Sequence, residues 1–521
     1  MKIKSNQLVT VFYSILLVVM SSTIAMAAER ISSNIPLDSY IYIYLDKLDG
    51  LGYLEAMQTG AKPYTRMQAA RWLKTMQAKA ETSEPPAYAR QMLNELAEEF
   101  RTELALLDGA DGVDQFRIEE LNWTNTYYDG PTLTQKGNQS ESAFGKKGTN
   151  SFYQPLNINN NGHRFAEDLN SVLTLRMEGN LGNMAVFSAT PRFSHDKAED
   201  LEADLDSVYF KTHFKNLQIQ LGKEPMWWGQ GERGSLALTN NMEPLTALKL
   251  SNLEPMLLPG WFKYLGPTDV NFFYSKMEDR NDVQNPAFIG LRTNFTPGSN
   301  FTFGAGLNSI MGGEGHELSW DDLWDFITQE NAESAAEEKW NTVAGFDFRW
   351  RIPRLNGLQI YGELYGEDQK RKPLPHPIRT AYLAGLYLPR LTADGAWDLQ
   401  LETARTIRFS YVHYLYVEGY THEENIIGDA MGHNARRYYA RLNHYLSNGT
   451  QLGLHGEYVS MERLETYPQT ISSVWVSYRV NLKDSWTLDA TAGLADIDHL
   501  NYQEDESDRN YLLSIGLSKR L

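Results

Sequence analysis

Beyond residue 113 apolar and polar side chains alternate one by one. Leu217, Ile219 and Leu221 alternate with Gln218, Gln220 and Gly222, and Phe301, Phe303, Ala305 and Leu307 with Thr302, Gly304, Gly306 and Asn308. The same period runs through Leu358–Leu364, Leu452–Tyr458, Val474–Val480 and Trp486–Leu494, and closes the chain at Tyr511, Leu513, Ile515, Leu517 and Leu521. Trp397, Leu399 and Leu401 open an alternation that Ile407, Phe409 and Tyr411 extend, so one long strand is expected there. A period of two puts one apolar and one polar face on each strand. A membrane barrel with lipid outside and a polar lumen needs that pattern, and a soluble sandwich shows it too.

Connection lengths separate the two. Turns after Leu181, Lys215, Pro297, Pro353, Ser447 and Leu482 are tight, whereas 129–168, 225–245, 311–341, 417–433 and 498–509 are long and polar. Short and long connections alternate, as periplasmic turns and extracellular loops do in outer-membrane barrels. A short strand at Thr246–Ser251 keeps that order. The expected fold is mainly β: a transmembrane outer-membrane β-barrel of about 18 antiparallel strands, with both chain ends on the periplasmic side.

Between Pro36 and Leu107 the apolar period is helical instead. Ile41, Leu45 and Leu48 share a face behind Asp38, the expected cap, and Pro63-Tyr64-Thr65 opens a second helix. Pro85-Pro86 precedes a third, with Met92, Leu93, Leu96, Phe100, Leu104 and Leu107 at three- and four-residue steps. Ahead of them, Lys2 and Lys4, the apolar run Leu8–Met20 and Ala25-Met26-Ala27 make a secretory signal. Three segments follow: a signal peptide over 1–27, a small periplasmic helical bundle over 28–112 and a barrel over 113–521.

Charge narrows the partners. The 521 residues carry a net charge of −18, which loss of Lys2 and Lys4 deepens, so nucleic acid and anionic lipid head groups are both expected to be poor partners. There is no cysteine, hence no disulfide scaffold and no thiolate site.

Catalytic motifs fail on context. Gly229-Gln230-Gly231-Glu232-Arg233-Gly234 fits G-x-G-x-x-G but opens no helix of a βαβ unit, so nucleotide binding is rejected. Ser194–Lys197 spells S-x-x-K without its companion motifs, and His422-Glu423-Glu424 lacks a second ligand on a helix. His413, His422, His433, His444 and His455 have no metal spacing. No catalytic residue, metal ligand or cofactor is assigned. Asp200–Asp206 and Asp496–Asp508 offer carboxylates for loop-bound Ca²⁺, although neither has EF-hand spacing.

Two loops carry binding chemistry. Ser319-Trp320-Asp321-Asp322 is a capping box, with Leu323, Trp324 and Ile327 at helical spacing beyond it. Packing alone explains such a helix, as a lid on the barrel mouth. Alternatively Trp320 or Trp324 presents a ring to a sugar. Lys370-Arg371-Lys372, with His376 and Arg379, is a basic loop suited to an acidic glycan, or simply a solvated turn.

Two stretches resemble the Wzi family of outer-membrane capsule-assembly proteins. One is Ile35-Pro36-Leu37-Asp38-Ser39, leading to Leu48–Leu54 and Pro63–Arg66. The other is Trp227-Trp228-Gly229-Gln230-Gly231, followed by Leu236–Asn240, Asn241 and Pro244; it is similar to the family's W-W-G-P-G…L-x-L-S-N-N…P, with Gln230 for Pro and Thr239 for Ser. Gly432-His433 is a looser match. The resemblance implies a non-enzymatic lectin of the outer membrane of a Gram-negative bacterium, attaching capsular or extracellular polysaccharide to the surface. It makes Trp227–Asn241 a folded element at the barrel mouth. Outer-membrane lipid and the polysaccharide export machinery are further candidate partners. A diffusion porin and an outer-membrane hydrolase are the competing readings.

Overall fold

A computed structural model describes residues 30–135, 150–198, 201–278, 280–322, 326, 339–370 and 376–521. The expected signal peptide lies outside these residues.

Among the described residues four helices precede the barrel strands: α1 (Ile41–Gly50), α2 (Arg66–Glu81), α3 (Ala87–Glu99) and α4 (Arg101–Leu107). Ile41, Leu45 and Leu48 are buried as their spacing requires. Asp38 does not cap α1. A turn closes from Ser39 N–H to Pro36 O, and the Ile41 N–H meets Ser39 Oγ at 3.4 Å. Thr65 does cap α2, accepting the Gln68 N–H at 3.0 Å. The expected third helix breaks at Phe100, whose φ of −99° and ψ of 23° separate α3 from α4. That fully buried ring lies beneath the Arg66 guanidinium, which bonds Glu99 at 2.6 Å and Glu103 at 2.7 Å, one carboxylate from each helix.

Eighteen strands form one closed antiparallel barrel. In chain order β1 is Gln115–Asp129, β2 Asp168–Leu181, β3 Ala185–His195, β4 Glu202–Phe214, β5 Leu217–Lys223 and β6 Thr246–Asn252. Then come β7 Pro267–Lys276, β8 Ala287–Gly298, β9 Phe301–Met311, β10 Trp340–Ile352, β11 Leu358–Lys370 and β12 His376–Leu388. The last six are β13 Trp397–Arg405, β14 Arg436–Tyr445, β15 Gln451–Met461, β16 Gln469–Asn481, β17 Trp486–Asp498 and β18 Ser507–Arg520. Closure joins β1 to β18, with Trp123 opposite Leu517. It leaves no unpaired edge.

The long strand expected through Tyr411 ends at Arg405. Thr406 donates its N–H to Ala435, and Tyr411, at φ 65°, turns inward and is buried. Alternation of three side chains could not distinguish a strand from a loop folded into the lumen.

Outward-facing residues stay exposed despite being apolar, among them Val476 at 51 % and Ile515 at 50 %. Exposed aromatics stand at both ends of the wall: Tyr127, Tyr438 and Tyr511 where the loops are long, Phe116, Phe214 and Trp350 where the turns are short. An apolar band between aromatic girdles is a lipid-facing surface. Among the described residues no helix is long and apolar enough to cross a membrane; the strands do the crossing.

The helices close the short-turn end. Lys47 in α1 donates to Pro389 O at 2.7 Å, Gly395 O at 2.8 Å and Asp398 at 3.3 Å, and Arg351 reaches Asp49 at 3.1 Å. Burial lowers the Lys47 pKa to about 8, although Asp398 works against the shift.

Candidate functional site

The segment between β5 and β6 does not sit at the barrel mouth, as expected, but runs inside the lumen. Trp227-Trp228 pairs antiparallel with Ala61-Lys62 of the helical part, and the Gly229 N–H donates to Gly60 O at 2.9 Å. The chain thus threads from the long-loop end down to the cork. Its direction follows from wall carboxylates that a strand-by-strand pattern cannot reveal.

Glu363 on β11 accepts the backbone N–H groups of Gln230, Gly231 and Leu236 at 2.6, 2.9 and 2.8 Å, and the Ser235 hydroxyl at 3.1 Å. Glu402 on β13 takes the next two, Glu232 at 2.7 Å and Arg233 at 3.3 Å. The glycine-rich loop is therefore a nest of backbone donors, and its acceptors are the protein's own carboxyl groups. A Cβ on Gly229 (φ 142°) would strike Ser235 and Glu363. Gln230, where the resembling pattern has Pro, supplies the N–H that Pro lacks and bonds Asp347 at 2.8 Å and Thr59 at 2.6 Å through its side chain.

A second segment, 406–435, folds over the first. Thr239 donates its hydroxyl to Gly428 O at 2.7 Å, Asn241 its amide to Ile426 O at 3.1 Å, and Asn240 its amide to Asn159 O at 2.8 Å. Three loops meet at these two asparagines. Gly432 (φ 73°) accepts the Thr406 hydroxyl at 2.6 Å, and His433 meets Glu462 at 2.8 Å, so this pair anchors the second segment's return. Buried ion pairs tie the whole to the wall: Arg292–Asp347 at 2.7 Å, Arg437 to Asp429 at 2.6 Å and Glu402 at 3.1 Å, and Arg233–Glu457 at 3.0 Å. Removing one partner of such a buried pair would leave an uncompensated charge, so these contacts fix the plug's position. Beside the plug a polar cavity of about 550 Å³ remains, with Glu99, Arg176, Arg479 and Arg520 in its lining.

The expected contact residues fall elsewhere. Ser319 and Asp322 form the anticipated capping box: the Ser319 N–H bonds Asp322 Oδ2 at 2.7 Å and the Asp322 N–H returns to Ser319 Oγ at 3.2 Å. Trp320, first in that helix, is 71 % exposed. Trp324, Arg371 and Lys372 lie outside the described residues. Lys370 pairs with His376 in the ladder. Arg379 is exposed, with its guanidinium 4.5 Å from the centre of the Phe409 ring, and Arg408 is at the same distance. The sequence reading missed Arg408 because it assigned Phe409 to a strand. Trp320 belongs to the loop after β9, whereas Arg379 belongs to β12 and Phe409 and Arg408 to the segment after β13, so the ring and the cations stand on separate elements.

Hydrolase chemistry finds no assembled centre in the S-x-x-K motif: Ser194 bonds Arg192 at 2.9 Å, and Lys197 bonds Asp168 at 2.8 Å. His455 does face Ser477 at 3.0 Å, but its other nitrogen meets the Tyr439 hydroxyl and no carboxylate. Of the acidic runs, Asp206 engages His163 at 2.9 Å and Asp496 engages Arg509 at 2.5 Å. Among the described residues no three metal-competent groups converge.

Residues 135–512 match the model of the capsule assembly protein Wzi family. The chain belongs to the Wzi family. Its barrel is similar to Wzi of Escherichia coli, an outer-membrane protein involved in group 1 capsule assembly and a carbohydrate-binding β-barrel, with a TM-score of 0.69 at 18 % identity over 94 % of this chain and 100 % of that one. At that identity the likeness is one of fold. A 55.8 kDa protein from the cps region of Klebsiella pneumoniae is 30 % identical over 167 residues, 32 % of this chain and about a third of its own length. The Wzi plug motif Trp227–Asn241 lies within the family match, and so do both candidate loops.

Proposed function

We propose that this Wzi-family chain is an outer-membrane lectin that holds capsular or extracellular polysaccharide at the cell surface, its long loops outside and its helices in the periplasm. The observation that carries the proposal is a lumen crossed by two inturned segments. Gripped by Glu363, Glu402 and Arg437, they narrow the space a diffusion pore would need to the polar cavity beside them, so function moves to what the loops expose. That leaves the Trp320 ring and the cations Arg379 and Arg408, with Trp324, Lys370, Arg371 and Lys372 as neighbours in sequence. Flat rings suit sugar C–H faces, and guanidinium groups suit uronate carboxylates. Family membership in capsule assembly and the carbohydrate-binding E. coli Wzi barrel support the same reading.

Pull-down of the host's own polysaccharide by the purified protein tests this. Saturable binding is expected; no binding, together with large steady conductance in planar bilayers, would favour the porin.

A further inference from the structure

Outside the lumen, four neighbouring strands place an ordered set of side chains on the lipid-facing wall at the long-loop end. Register aligns Tyr382 on β12, Arg405 on β13, Arg436 on β14 and Ser460 on β15 in one row. One step toward the membrane centre, about 7 Å along the strands, the row reads Ala384, Thr403, Tyr438 and Tyr458. The next contains Leu386 and Leu401, which are exposed. Arg463 joins from the loop after β15: its N–H bonds Asn434 O at 3.1 Å and its guanidinium reaches Thr406 O at 3.4 Å. Apolar, aromatic and cationic levels succeed one another as hydrocarbon gives way to head groups.

Among the described residues these cations have no counter-charge. None of Arg405, Arg436 and Arg463 forms an ion pair there, and the Nε atoms of Arg405 and Arg463 are buried without a partner. The adjacent carboxylate, Glu462, is held by His433 at 2.8 Å and Asn434 at 3.1 Å. Arg405 and Arg436 stand directly opposite each other, which is unfavourable between like charges. Burial first, and then the charges of Arg405 and Arg436, lower the Arg463 pKa. On a chain of net charge −18 an unpaired basic row facing lipid needs an anion from outside the protein.

We infer that Arg405, Arg436 and Arg463 bind the phosphate groups of an outer-leaflet glycolipid, whose acyl chains lie along Leu386 and Leu401 beneath the tyrosines. Forked guanidinium groups match phosphate oxygens in pairs, and a row rather than a point suits a head group with more than one phosphate. The inference rests on the membrane orientation proposed above. An acidic polysaccharide is the less suitable occupant, because the row faces sideways and level with the girdle.

Full-length protein is placed in nanodiscs of phosphatidylcholine doped with a bisphosphorylated, acylated glucosamine disaccharide or with its dephosphorylated form, and retained lipid is read by native mass spectrometry. Wild type should retain the phosphorylated form at least tenfold better, and Arg405→Gln/Arg436→Gln should lose that preference while keeping heat-modifiable migration and polysaccharide capture. Arg463→Gln, in a loop, should lose part of it and guards against misfolding of the double variant. Equal retention of both lipids by wild type, or an undiminished preference in the variants, overturns the inference. So does loss of polysaccharide capture alone, which would assign the row to the glycan. Wild type lacking heat-modifiable migration would instead sink the membrane reading itself.

Discussion

Glu363 accepts the Gln230 N–H at 2.6 Å across a separation of 133 residues, and through that contact a wall strand holds the plug. A motif that reads as a phosphate cradle is satisfied from within. Because the same carboxylate also binds Gly231, Ser235 and Leu236, one side chain sets the path of the loop.

Removing that carboxylate should free the plug. Each buried donor left without a partner costs about 1–3 kcal/mol, so Glu363→Leu should destabilise the barrel by several kcal/mol, on the order of 3 or more. Heat-modifiability in gels should shift to lower temperature, and conductance in planar bilayers should rise from near zero. Glu363→Gln keeps an acceptor oxygen and should fall between. A closed, equally heat-resistant Glu363→Leu protein would show that the plug is held elsewhere.

Acid should loosen the helical cork. Burial alone would raise the Glu99 pKa, but the charges of Arg66, Arg176 and Arg520 outweigh it and hold it at about 2, against 4.5 ordinarily. The unfolded chain thus binds the proton more readily than the folded one. The stabilisation is complete above pH 4.5 and is lost as pH falls through 4.5 toward 2, about 3 kcal/mol in all at 1.36 kcal/mol per unit. Arg520, at the end of β18, meets Glu99 at 2.9 Å, so helix and barrel should separate together. Limited pepsin digestion of residues 41–107 should accelerate over that window, and Glu99→Gln should flatten the dependence.

Orientation is open to labelling. Leu464→Cys, at a residue 71 % exposed in the loop after β15, should react with impermeant maleimide on intact cells, whereas Asn448→Cys, in the turn between β14 and β15, should react only after lysis. The reverse pattern would turn the barrel over.

The lipid face is testable with one charge. Val476 lies mid-strand on β16, opposite Leu454, and points outward. Val476→Arg should cost about 2–4 kcal/mol near the bilayer midplane and reduce heat-modifiable protein in the outer membrane. An unaffected yield would contradict the facing of β16.

Glycan capture should depend on the cations of these loops. Replacing Lys370, Arg371 and Lys372 with Ala, or Arg379 and Arg408 with Ala, should weaken binding of an acidic polysaccharide about tenfold or more, since charge-assisted bonds contribute about 1.5–3 kcal/mol each. Polysaccharide should appear in the medium while total synthesis holds steady. Salt should weaken the wild type and matter less in the variants. Retention equal to wild type in both would remove these loops from the site.

Period-two alternation and alternating connection lengths were enough to read the wall and its strand number from sequence, because a lipid boundary imposes one rule on every strand; the helical period of 36–107 gave the helical character but not the break at Phe100. Even the short strand at Thr246–Ser251 was legible, one residue short of its end at Asn252, as the strand that kept loops and turns in order. The Ser319–Asp322 cap was legible because its partners lie three residues apart. What lay beyond reach depends on partners far along the chain. Whether Trp227–Asn241 lies at the mouth or in the lumen is decided by Glu363 and Glu402, and whether Phe409 and Tyr411 continue a strand is decided by the return at Ala435. Arg405 and Arg436 become a pair only through the register of β13 on β14 across a 30-residue excursion. Periodicity reports the environment a residue faces; closure of the barrel decides which residues face each other.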